Sequence, residues 1–129
     1  MSDLKAKILV IDDEKAIRRS FQLTFQDTDY YIDLAENGIE GVNKLELQRY
    51  DVIFLDLIMP VMNGIDFLKK MRVNKVYTPV YIITSFHEEY FAQLLQLRKE
   101  GYTFEILQKP LRNKDLIDSV ESIINSLKT

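Results

Sequence analysis

Five short apolar runs, KILVI, YYIDLA, DVIFLD, PVYIITS and FEILQ, recur along the chain. Each is followed by a segment whose apolar residues return every three or four positions. The runs have the length and β-branched content of strands, and the segments between and after them have the period of amphipathic helices. Those segments carry Ile17, Phe21 and Phe25; Ile39, Val42 and Leu45; Ile65, Leu68 and Met71; Tyr90, Phe91, Leu94, Leu95 and Leu97; and Leu116, Ile117, Val120, Ile123, Ile124 and Leu127. Strict strand and helix alternation, with several strands apolar on both faces, predicts an α/β fold. Its parallel sheet would be covered by helices on both faces through right-handed crossovers. With no repeat, low-complexity tract or linker, residues 1–129 read as one unit. A chain of 129 residues buries roughly two thirds of its unfolded surface, enough for a core without staples.

In such a sheet ligands bind beyond the carboxyl ends of the strands, where the winding order switches. Four of the five ends are polar: Asp12-Asp13-Glu14, Asp56, Thr84-Ser85 and Lys109-Pro110. The remaining one, Ala35-Glu36-Asn37-Gly38, reads as a turn and helix start. Asp56 is the sharpest case, because the strand VIFLD looks fully buried and a charge there must be paired, hydrated or bound to metal. If the first and third strands are neighbours, three carboxylates converge. Two carboxylates about 5 Å apart repel by roughly 3 kcal/mol at an effective dielectric near 20, so a cation or protons must enter. A hard divalent ion with oxygen ligands suits the set, and Mg²⁺ in particular takes one or two carboxylates, waters and a phosphate oxygen. Lys109 adds a point charge for an anionic oxygen and Thr84 a hydroxyl donor. Together they form a kit for a phosphoryl group, with one carboxylate left as nucleophile. Taken singly, Asp13 reads as a helix N-cap, Lys109 as a solvated strand-end lysine and Thr84 as a β-branched strand residue. Only their joint placement lifts them.

The order of these residues resembles the receiver domain of bacterial two-component response regulators over essentially the whole chain. The resemblance rests on the Asp12-Asp13 pair, the stretch DLIMPVMNG from Asp56 to Gly64, Thr84-Ser85 and Lys109-Pro110. It implies a flavodoxin-like (βα)5 fold with strand order 2-1-3-4-5 and a cis Lys109-Pro110 bond. It further implies that Asp56 accepts a phosphoryl group from a histidine kinase or histidine phosphotransfer protein. Mg²⁺ would be held by Asp13, Asp56 and the backbone carbonyl of Ile58, with Asp12 acting directly or through water. Lys109 and Thr84 would hold the phosphoryl oxygens, while small Ser85 leaves room for approach. Such a domain catalyses only its own phosphorylation and slow dephosphorylation, and it signals to a downstream protein. Because the chain ends just after the last helix, no output domain is expected.

Two features bear on signalling. Counting back three from Lys109, the usual aromatic switch position holds Ile106, although the loop from Gly101 to Lys109 is one residue longer than the common pattern and leaves the register open by one. An inward swing of an aromatic ring coupled to Thr84 cannot operate through an isoleucine. Ile58 and Phe86, each two residues after a key position, are apolar and bulky where polar groups would orient an attacking water, which predicts slow self-dephosphorylation. The helix carrying Tyr90, Phe91, Leu94, Leu95 and Leu97 is apolar over more width than one buried face needs. It reads as core packing with scattered exposure, or as a partner or homodimer surface formed with the fifth strand and fifth helix.

Composition removes other classes. The net charge of -3 with both signs interleaved gives no basic footprint for direct nucleic-acid or anionic-membrane binding. Cysteine is absent, so disulfides and thiolate chemistry are excluded, and the single histidine, His87, reads as a surface residue that cannot form a His-based metal site. The N-terminus is neither signal peptide nor membrane span, and a cytoplasmic location is expected. A haloacid-dehalogenase-like phosphohydrolase needs an acid two residues after its nucleophile, where this chain has Ile58. A flavin or nucleotide carrier needs glycines and amides where this chain has DDEKA. A pseudo-receiver scaffold stands as the alternative, against which the intact acid pair, Asp56, Thr84 and Lys109 argue.

Overall fold

The computed structural model describes residues 5–85 and 88–127. The chain runs β1 (Lys7–Ile11), α1 (Lys15–Phe25), β2 (Tyr31–Ala35), α2 (Gly38–Leu47), β3 (Val52–Asp56), α3 (Gly64–Val73), β4 (Val80–Thr84), α4 (Glu88–Lys99), β5 (Glu105–Gln108) and α5 (Asn113–Leu127). All strands pair in parallel in the order β2-β1-β3-β4-β5, with β3 at the centre. The sequence expectation of an α/β sheet with this order is met. Among the described residues no helix is long and apolar enough to cross a membrane.

Period-two alternation along the strands splits the core into two layers. Leu9, Ile11, Ile53, Leu55 and Ile82 point to one face, where they pack with Phe67, Leu68 and Met71 of α3 and Leu94 and Leu97 of α4. Ile8, Val10, Val52, Phe54 and Ile83 point to the other, against Phe21 and Phe25 of α1 and Leu116, Val120 and Ile124 of α5. Phe54 anchors this second layer, with Phe21 5.0 Å away on one side and Tyr81 stacked at 5.4 Å on the other. Every residue of β3 is buried, which is why its sequence is apolar without alternation.

One helical stripe differs from the sequence expectation, that of α2, while α4 shows the core packing with scattered exposure that the sequence predicts. Ile39 stands half exposed, because α2 lies so close to the sheet that Gly41 occupies its contact face. A Cβ on Gly41 would lie 2.6 Å from Ile11 Cδ1. On α4, Leu94 and Leu97 are buried while Phe91 and Leu95 remain exposed, so only part of that wide apolar face enters the core.

The loop after β3 is clamped to the strand it leaves. Gly64 donates its backbone N–H to the Leu57 carbonyl at 2.8 Å, and Asn63 caps α3 by accepting from the Asp66 N–H at 2.9 Å. A Cβ on Gly64 would meet the Asp56 carbonyl oxygen at 2.6 Å and Leu57 Cα at 3.0 Å, both backbone atoms unable to step aside. Gly64→Ala is therefore expected to cost about 1–3 kcal/mol of stability, read from the urea midpoint at unchanged slope. A midpoint equal to that of the parent would show that the helix start moves freely past β3.

Candidate functional site

The adjacency of β1 and β3 brings their carboxyl ends side by side, and β4 and β5 follow on the same edge. Oxygens of Asp12, Asp13 and Asp56 all lie within 4.8 Å of one another. Asp12 is completely buried and Asp56 nearly so, whereas Asp13 is exposed at the rim. The chain reaches Asp12 in extended form, its N–H donating to the Ala35 carbonyl of β2 at 3.1 Å. There it turns: Asp12 Oδ1 accepts the Glu14 N–H at 2.8 Å, and the Asp12 carbonyl accepts a hydrogen bond from Arg18 Nη1 at 2.8 Å. Glu14, not Asp13, occupies the N-cap position of α1, and no side chain caps that helix. Capping therefore does not account for Asp13.

Lys109 follows β5, with its N–H on the Thr84 carbonyl at 2.8 Å. Its ammonium lies 3.2 Å from Glu14 Oε1, 3.6 Å from Asp56 Oδ1 and 3.8 Å from Asp12 Oδ2. The bond from Lys109 to Pro110 is cis. Thr84 is buried at the end of β4, and Ser85 beyond it is exposed. Ile58 stands 42% exposed two residues past Asp56. Between Ile58 and α3 the backbone makes a tight turn in which Met62 N–H donates to the Pro60 carbonyl at 2.8 Å with Val61 at a φ of 74°. A β-branched residue there stores about 1–3 kcal/mol of strain beside the site. Phe86 and His87 lie outside the described residues.

Ile106 pairs in register with Ile82, and Gln108 with Thr84, so Lys109 is the first residue past the strand and Ile106 lies three before it. Shared register puts the Ile106 side chain on the same face as Ile82, toward α4, where it is 39% exposed. Phe104, two residues earlier on that face, is buried beneath the guanidinium of Arg98 at 4.6 Å.

The charge at this edge is out of balance. Burial pushes the Asp56 carboxyl up to about 7, helped by the charge of Asp12 and a hydrogen bond shared with Asp13. Burial also raises Asp12, against the pull of the Glu14 N–H and Lys109. Burial alone would lower Lys109, but the charges of Asp12 and Asp56, with Glu14, carry it upward. Asp12 Oδ2 is buried and, among the described residues, has no hydrogen-bond donor. An orphaned carboxylate oxygen within a group of three acids is what a hard, oxygen-liganded divalent cation would satisfy.

A family model for the response regulator receiver domain matches residues 8–121. The chain belongs to that family. This receiver is 36% identical over 120 residues to the transcriptional regulatory protein ResD of Bacillus subtilis, covering 93% of this chain and 48% of that protein. It is 30% identical over 122 residues to the alkaline phosphatase synthesis transcriptional regulatory protein PhoP of the same organism, covering 94% and 49%. The chain thus spans about half the length of the curated relatives it matches. Among solved structures it superposes on a two-component response regulator from Clostridium difficile with a TM-score of 0.84 at 29% identity, covering 97% of this chain and all of that one. The chemotaxis protein CheY4 of Vibrio cholerae gives 0.80 at 31% identity, covering 92% and 98%.

Two residues at the receiver's site carry no role in the sequence reading. Glu14 stands beside the acid pair, but its ion pair spans 95 residues and no local pattern announces it. Arg18 sits one helical turn beyond Glu14, the only hint that its guanidinium reaches back to the Asp12 carbonyl.

The raised Asp56 carboxyl has a sign that can be measured. Unfolded, it ionises near 4; folded, near 7. Its contribution favours folding at low pH and is lost as pH rises through that window. Without metal, Asp56→Asn is expected to be more stable than the parent at pH 8 by about 2–4 kcal/mol, with the gap closing toward pH 4. Paired melts across that range check this, and a gap that ignores pH would contradict the assignment.

Proposed function

We propose that Asp56 is the phosphoacceptor of a Mg²⁺-dependent signalling module charged by a histidine kinase or histidine phosphotransfer protein. The observation that carries this reading is a buried carboxylate with two acids within 4.8 Å and a lysine ammonium at 3.6 Å, all at strand ends of a receiver fold. An oxygen of Asp56 forms a bond to phosphorus as the bond from phosphorus to the donor's imidazole nitrogen breaks, and that nitrogen keeps the electron pair and takes a proton. Asp12, Asp13 and Asp56, with the Ile58 carbonyl, would hold Mg²⁺, which when bound supplies positive charge against the phosphoryl oxygens. Lys109 and the Thr84 hydroxyl donate hydrogen bonds to those oxygens, and Ser85 leaves the approach open.

The phosphoryl adds about -1.5 to -2 charges to an acidic pocket, so Lys109 and the loops bearing Thr84 and Ile58 must rearrange around it. With Ile106 at the position three before Lys109, that shift passes through Thr84 at the end of β4 without an aromatic swing. The exposed Phe91 and Leu95 of α4 and Ile106 of β5 are the apolar side chains that a downstream protein or a second copy would read. Such a relay belongs in the cytoplasm.

Incubation with Mg²⁺ and acetyl phosphate should add one phosphoryl group by intact mass to the parent and none to Asp56→Asn. No gain in a folded, Mg²⁺-binding parent would favour the scaffold alternative. Sedimentation of the charged parent then separates a homodimer from a monomer that acts on another protein.

Ile58, 42% exposed two residues past Asp56, puts apolar bulk where a polar group would orient an attacking water, which leaves the acyl phosphate long-lived. Ile58→Asn places an amide there and should shorten the half-life of the phosphorylated protein severalfold, a loss of barrier of about 1 kcal/mol. An unchanged half-life would remove water orientation at this position from the account.

A further inference from the structure

We propose that Glu14 is a positioning residue that holds the Lys109 ammonium away from Asp56 until a phosphoryl group arrives, and so sets how fast the site charges. The inference rests on Asp56 being the phosphoacceptor.

The Lys109 ammonium faces three carboxylates, and only Glu14, at 3.2 Å, is within hydrogen-bonding distance. Asp56 at 3.6 Å and Asp12 at 3.8 Å are attracted across a longer gap. The ammonium is therefore drawn toward the rim. To donate to a phosphoryl oxygen on Asp56 it must leave Glu14.

The geometry around Glu14 suits a restraint that can be released. Its backbone is pinned: the N–H donates to Asp12 Oδ1, and the carbonyl accepts from the N–H groups of Ile17 and Arg18 at 3.1 and 3.2 Å. Its side chain is 58% exposed, while that of Lys109 is only 15% exposed. The carboxylate can swing into water without disturbing the fold, whereas the lysine has nowhere to go but along the pocket. Glu14 makes no side-chain cap to α1, and among the described residues its carboxylate bonds only Lys109.

A second consequence has the same direction. Glu14 adds a fourth negative charge to the approach already lined by Asp12, Asp13 and Asp56, and a phosphoryl donor must cross it. Repulsion scales with the donor's charge. At neutral pH acetyl phosphate carries two negative charges and phosphoramidate one net negative charge. Neutralising Glu14 should therefore help the first donor more than the second, a split that a purely structural role would not produce.

The test uses the full chain, with Mg²⁺, and compares the parent with Glu14→Gln and Glu14→Asp. Three quantities are read: the side-chain ¹⁵N resonance of Lys109 without donor, the charging rate by intact mass with each donor, and the melting temperature. Glu14→Gln should move the Lys109 resonance and raise the acetyl phosphate rate about fivefold, the scale of one exposed ion pair, with a rise of about twofold or less for phosphoramidate. Glu14→Asp keeps the charge but is one methylene too short for the contact, so it should move the resonance and give an intermediate rate. An unmoved resonance, equal rates in the parent and Glu14→Gln, or equal acceleration with both donors would each overturn the proposal. If the parent gains no phosphoryl group from either donor, the phosphoacceptor reading itself fails, and the role of Glu14 falls with it. A parent that charges and a variant that charges no faster defeats Glu14 alone.

Discussion

Burial of Asp12 and Asp56 at the ends of adjacent central strands, with one lysine to offset them, is the constraint on which the rest of this molecule turns. Neither acid could sit there in an ordinary core, since an unpaired buried charge costs several kcal/mol. Lys109 reaches both but hydrogen-bonds neither, standing 3.6 and 3.8 Å away. The site is thus left short of positive charge, a shortage that a hard divalent cation would relieve.

The packing keeps this imbalance from collapsing. β3 is buried along its whole length between two apolar layers, so Asp56 cannot retreat toward solvent. Gly64 brings the start of α3 against the Asp56 carbonyl, and the Arg18 guanidinium holds the carbonyl of Asp12. Of the three carboxylates that face the Lys109 ammonium, the least enclosed is that of Glu14, whose side chain is 58% exposed against 15% for Lys109.

The five strands and their polar ends were legible because both follow from strong local patterns, apolar runs broken by charged or polar residues at fixed places, whereas the strand order followed from the resemblance to receiver domains. The central position of β3 shows in the unbroken apolar stretch that precedes Asp56. What the sequence conceals is long-range or depends on close approach. Ile39 belongs to the apolar stripe of α2 but is displaced outward by the glycine that lets the helix touch β1. The register at β5 hinged on a single residue of loop length, and only the pairing of Ile106 with Ile82 and Gln108 with Thr84 fixes the face of the sheet on which Ile106 lies. The ion pair between Glu14 and Lys109 joins opposite ends of the chain, where no periodicity can foretell it.

Lys109 alone does not offset the buried carboxylates, and the carboxyl group of Asp56 reports that shortfall directly. With ¹³C-labelled aspartate, its side-chain resonance can be followed against pH, first with metal removed and then with saturating Mg²⁺. A midpoint of about 7 is expected without metal, with a clear fall once Mg²⁺ is bound, because the cation favours the ionised form. A midpoint near 4 under both conditions, the value of an ordinary exposed aspartate, would mean that Lys109 already balances the site, and the account would be wrong.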